Sequence, residues 1–203
     1  MRILRVGADS LLVEVSDTAA AMRVYDEALR REVDVADVVP AARTVLFSGV
    51  PDPAALESEL SRWRPDEAGA SPRGRGDLVE VPTVYDGPEL EAVARHWGLT
   101  PREVVDLHTS VEMTVAFCGF APGFAYCTGL DMSRPVPRLE EPRTRVPAGA
   151  VGLADVFTGV YPSASPGGWQ LIGRTDLVLW DESRERPATL APGTRVRFVE
   201  VSP

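Results

Sequence analysis

Three arginines, Arg143, Arg145 and Arg174, flank two runs dense in glycine, proline and aromatics: FCGFAPGFAYCTGLD (117–131) and YPSASPGGWQLIGRT (161–175). The planar guanidinium fork takes carboxylate, carbamate or phosphate through two parallel N–H donors. Arg143 and Arg145 alternate on an expected strand and so share a face. Tyr161, Ser165 and Gln170 add neutral hydrogen-bonding groups. Gly119, Phe120, Pro122, Gly123 and Phe124 fall within six residues, a density that an ordinary core strand does not need. Glycine serves positive φ or close backbone approach, and proline fixes φ. With Gly167, Gly168 and Trp169 these residues predict rigid, apolar-walled loops around a concave site with few polar groups. The ligand expected is a small, planar, polar or anionic compound.

Groups for proton transfer are few. His108 ends an expected helix just before the strand that leads to Gly119. There it could orient a carbonyl or move a proton, or simply meet the helix dipole. Asp155, next to PAGAVGLA (147–154), is the one acid read as a general base. No Ser-His-Asp order, phosphate-binding loop or carboxylate pair stands out. His96, His108, Cys118 and Cys127 follow in that order without the close pairs that structural zinc uses, so no metal is expected. Cys127 with His108 as its base would make a nucleophile; a thiol packed under the loop is the preferred reading.

The 203 residues bound the setting: one large domain or two small ones, 44% hydrophobic, 25% charged, net charge −9. An acidic chain argues against nucleic acid and against an anionic membrane as partners. The chain contains no lysine, which excludes Schiff-base chemistry. No leader and no span of about 20 apolar residues is seen, so a cytoplasmic protein with reduced thiols is expected.

The elements that must hold the loops read as an α+β chain. Residues 1–77 form a small N-terminal α+β domain: a hairpin over 3–15, a helix over 19–33, strands over 33–39 and 44–47, and a helix from Pro53. Ala21, Val24, Tyr25, Ala28 and Leu29 fall on one face of the first helix. PDEAGASPRGRGD (65–77) reads as a linker, with Arg73 and Arg75 solvated. Residues 78–203 read as a closed β-barrel: a strand over 78–84, then helices over 88–97 and 101–109, then short strands that include LVLW (177–180). ELEAVARHWGLTPREVVDLH matches helix-turn-helix spacing, but Glu103 and Asp106 on its second helix would face phosphate. An acidic αα-hairpin over the end of a barrel fits better.

GFAPGFAY, PRTRVPAGAVG and YPSASPGGWQLIGRT, with LHTS before them and PGTRVRFV after, resemble the B-type chain of the bacterial ATP-dependent 5-oxoprolinases. That family is also known as allophanate hydrolase subunit 1 and as the inhibitor of a sporulation histidine kinase. The likeness covers nearly the whole chain. It implies a cyclophilin-like barrel, a related partner barrel (the C-type chain), a further A-type chain, and a carboxyltransferase-like pairing of barrels. It also implies opening of a lactam, 5-oxoproline, to glutamate, with ATP used by the assembled complex and no cofactor held by this chain alone. Kinase inhibition and urea or allophanate chemistry are the alternatives. One departure stands out: Asp155, Val156 and Phe157 occupy a turn where the family usually carries a glycine-containing pair.

Overall fold

The computed structural model describes residues 1–64, 76–131 and 133–202. The chain divides into two units, Met1–Pro72 and Arg73–Pro203. Most of the expected linker, with Arg73 and Arg75, lies outside the described residues.

In the first unit, β1 (Arg2–Val6) and β2 (Ser10–Glu14) form a hairpin, and β3 (Asp37–Pro40) and β4 (Thr44–Ser48) extend it in the order β1-β2-β4-β3. Side chains alternate across a strand, so Leu11, Val13, Val45 and Phe47 turn to one face. All four are fully buried with residues of α1 (Thr18–Arg30) and α2 (Pro53–Leu60). Asp17 caps α1 by accepting the Ala20 N–H at 2.8 Å. The helix stops at Arg30, and Glu32 takes a left-handed φ of 50°. The strand expected over 33–39 therefore begins only at Asp37. Leu29 is 53% exposed rather than buried, because the stripe that packs is Ala20, Ala21, Val24 and Ala28.

The second unit is built on seven strands: β5 (Leu78–Thr83), β6 (Met113–Cys118), β7 (Ala125–Thr128), β9 (Ala150–Ala154), β10 (Phe157–Val160), β12 (Gln170–Arg174) and β13 (Arg195–Glu200). Their order is β12-β9-β10-β7-β6-β13-β5. Just past β5, Val84 exchanges two backbone hydrogen bonds of 2.9 Å with Arg174 on β12, which nearly closes the sheet into a barrel. Val81, Val115, Val151, Leu153, Ile172, Val196 and Phe198 fill its interior. Beside it, β8 (Arg143–Val146) and β11 (Ser165–Gly167) form a two-stranded ribbon.

Helices α3 (Leu90–Trp97) and α4 (Pro101–Ser110) make the αα-hairpin, packing on β12 and β13 respectively. Gly98, with φ 67°, ends α3. Thr100 and Glu103 form a capping box on α4. The outer face of α4 is already neutralised, since Arg102 pairs with Asp106 and Glu200. Residues 177–180 are not a strand; only Trp180 makes a bridge, to Ala188. Strand β7, by contrast, lies in a run whose composition points to loop, because four residues between glycines carry little periodicity.

Candidate functional site

The barrel carries an aromatic platform on its outside, and a single bulge helps to create it. Val115 on β6 faces Cys127 on β7, but Phe117 faces Tyr126. The extra residue, Ala116, shifts the alternation, so Phe117 turns outward with Tyr126 instead of inward. The two rings stack at 4.3 Å. Phe157 on β10 meets both edge-on, at 5.4 and 5.6 Å. Gly152 and Gly159 are cross-strand partners on this same outer face. Their missing side chains leave a trough for Trp169: a Cβ on Gly159 would stand 2.9 Å from the Trp169 ring and 3.0 Å from that of Phe124. Trp169, Phe124 and Tyr161 fill the trough and are nearly fully buried. Gly167 has the same use, since a Cβ there would lie 2.2 Å from the Tyr161 hydroxyl oxygen.

Over this platform runs the loop 119–124, which is two consecutive turns. The Ala121 N–H donates to the Gly119 carbonyl at 2.9 Å, closing a three-residue turn on Phe120, whose φ is 71°. This is the rarer, strained γ-turn. The Phe124 N–H then donates to the Ala121 carbonyl at 3.0 Å. With Pro122 second and Gly123 third at φ 82°, that is a type II turn. Phe120 is left 63% exposed, with its ring edge-on to Phe124 and Tyr161. A bulky residue held at positive φ and turned to solvent carries backbone strain at the surface.

The arginines divide. Arg143 is tied to Glu89, which also accepts the Leu171 N–H at 2.9 Å, so its guanidinium already has a carboxylate partner. Arg174 pairs with Asp86 at 2.9 Å beside the barrel seam. Arg145 is exposed on β8 and makes no ion pair among the described residues. Sequence reasoning missed Arg138. It sits in a segment pinned at both ends: Gln170 Nε2 donates to the Pro137 carbonyl at 3.0 Å, and the Leu139 N–H donates to the Gly168 carbonyl at 2.7 Å. Burial raises the pKa of the Tyr126 and Tyr161 phenols, and the nearby positive charge of Arg138 opposes the rise in both. The only sequence signal was an arginine one residue beyond a proline, outside the glycine-rich runs. Ser165 Oγ and Gln170 Oε1 are buried without a hydrogen-bond partner.

The other expected groups lie elsewhere. His108 is fully buried, which corrects its placement beside the loops. Its Nδ1 lies 2.6 Å from the Tyr85 hydroxyl, its Nε2 3.3 Å from Thr158 Oγ1, and its ring packs on Phe198. Burial lowers its pKa to about 3, so it is a neutral hydrogen-bonding core group. Burial also pushes the Cys127 thiol up to about 12 and that of Cys118 up to about 11, far from thiolate chemistry at neutral pH. Asp155 is exposed at the tip of the β9–β10 hairpin, away from His108 inside the barrel.

Residues 1–190 match the family described as carboxyltransferase domain, subdomain C and D. The chain belongs to this family. A relative in Escherichia coli O157:H7, named as the B subunit of 5-oxoprolinase, is 41% identical over 210 residues, which is 98% of this chain and 95% of that one. The Bacillus subtilis protein of the same name is 46% identical over 62% of this chain and 53% of its own length. The crystal structure of TTHA0988 superposes with a TM-score of 0.74 at 34% identity over 96% of this chain, which spans 40% of that protein. The Kluyveromyces lactis urea amidolyase, at 19% identity and a TM-score of 0.70, shares the fold over 15% of its length. The turn 155–156 tolerates its residues. Asp155 takes the left-handed φ of 53°, which aspartate tolerates, while Val156 stays at negative φ and Phe157 joins the platform.

Proposed function

We propose that this chain is one component of an ATP-dependent 5-oxoprolinase. It contributes one wall of an active site completed by a related barrel chain, assembles with a further chain, and has little activity alone. The observation that carries this reading is the end-to-end identity of 41% with a protein named as the B subunit of 5-oxoprolinase. The surface chemistry fits the substrate. 5-Oxoproline is a small ring bearing a planar amide and a carboxylate, and it suits an aromatic wall near Arg138, which has no carboxylate partner among the described residues. Arg145 and Asp155, both exposed, are the groups offered to the shared face. ATP is assigned to the assembled complex.

The platform loop gives a test. Phe120 is mostly exposed, so Phe120→Ala costs the isolated chain less than about 1 kcal/mol. In the assembled complex the same variant lowers 5-oxoproline turnover at least about tenfold, since a shared wall loses its projecting ring. Equal turnover by the variant and wild-type complexes would remove Phe120 from the site. A urea or allophanate reading has one observation behind it, 39% identity to the Lachancea kluyveri urea amidolyase over 30% of this chain. Assaying the same complex with urea and allophanate separates the two.

A further inference from the structure

We infer that Arg138 is the residue that grips the carboxylate of the substrate, on the face shared by Tyr126, Tyr161 and Phe120. The identity of that substrate rests on the 5-oxoprolinase reading; the anion site itself rests on the geometry.

Arg138 is exposed and has no carboxylate partner among the described residues, unlike Arg143 with Glu89 and Arg174 with Asp86. A guanidinium already paired must give up its carboxylate to bind another; an unpaired one need not. Its backbone is also fixed. Val136 exchanges hydrogen bonds of 2.7 and 2.6 Å with Asp155, the Pro137 carbonyl accepts from Gln170, and the Leu139 N–H donates to Gly168. An arginine on an anchored segment loses little freedom when it binds, which favours affinity. Its charge acts on two phenols that burial keeps neutral, so neither of them competes for it as an anion. The ring of the strained Phe120 is centred 6.3 Å from that of Tyr161, the phenol on which the charge of Arg138 also acts.

The test uses the complex assembled with its partner chains. Arg138→Gln raises KM for 5-oxoproline roughly 10- to 100-fold, as the loss of a charge-assisted pair requires, while kcat falls far less. Arg138→Lys recovers part of the loss. A merely structural role would lower the melting temperature and the active fraction without splitting KM from kcat. A KM for Arg138→Gln within about twofold of wild type would overturn the inference. If the wild-type complex does not act on 5-oxoproline, the enzyme reading fails and the anion site is read directly. Wild-type and variant chains are titrated with 5-oxoproline and with acetate while the backbone N–H resonance of the adjacent Leu139 is followed by NMR. A saturable shift that Arg184→Gln keeps and Arg138→Gln abolishes upholds the site. No shift with either compound overturns it.

Discussion

Gly123→Val lowers the melting temperature of the chain by about 10 °C and removes the activity of the assembled complex. Two costs add at this position. Gly123 holds φ 82°, which a β-branched residue adopts only at about 1–2 kcal/mol. A Cβ there also stands 2.9 Å from that of Trp180 and 3.1 Å from the Leu179 carbonyl, and such overpacking costs about 1–3 kcal/mol. Together they approach about 3 kcal/mol, and about 3 °C per kcal/mol suits a unit of this size. Activity falls further than stability because the type II turn and the strained turn on Phe120 are consecutive, so a shifted Gly123 moves Phe120 as well. Calorimetry of the chain with Gly123→Ala alongside checks the account: alanine bears the φ cost and the same Cβ contacts but lacks the two γ-methyls, so it melts between wild type and valine. Unchanged melting of Gly123→Val would refute it.

The second large effect is acid sensitivity built into the barrel. His108 has a pKa lowered by burial to about 3, against 6.5 for the free side chain. Below pH 6.5 the unfolded chain therefore binds a proton that the native chain refuses. Stability falls as pH falls, by about 1.4 kcal/mol per pH unit once the unfolded histidine is charged. Between pH 6.5 and pH 5 this amounts to about 2 kcal/mol, in a range where ordinary carboxylates are still mostly charged. His108→Leu removes that slope. It also leaves the part-buried hydroxyl of Tyr85 and the buried hydroxyl of Thr158 without the imidazole, a loss of about 2–4 kcal/mol at neutral pH. Denaturant titrations at a series of pH values measure both. An equal pH dependence in wild type and variant would mean that His108 is not the source.

How much of this is legible in the sequence depends on how local each cause is. The β1–β2 hairpin, the Asp17 cap, the capping box of Thr100 and Glu103, and the end of α3 at Gly98 are each set by residues a few positions apart, and all can be read. The glycine-rich blocks announce the platform, and Phe120, Phe124, Tyr161 and Trp169 do meet there. The reason they meet is hidden. The bulge at Ala116 is a property of register between two strands, and no residue type signals it. Arg143 misleads because its partner Glu89 lies 54 residues away in the chain. His108 misleads because its position at a helix end says nothing about a barrel closing around it. Arg138 escapes notice because its meaning comes from the carboxylate it lacks, and a missing partner is visible only in three dimensions.

The most direct test of the central claim is an assay of glutamate release from 5-oxoproline with ATP, using this chain and its partner chains purified separately and then mixed. The account predicts release from the full mixture, none when this chain is omitted, and none from this chain alone. Full turnover by the remaining chains without it, or by this chain with no partner, would contradict the reading of a shared active site.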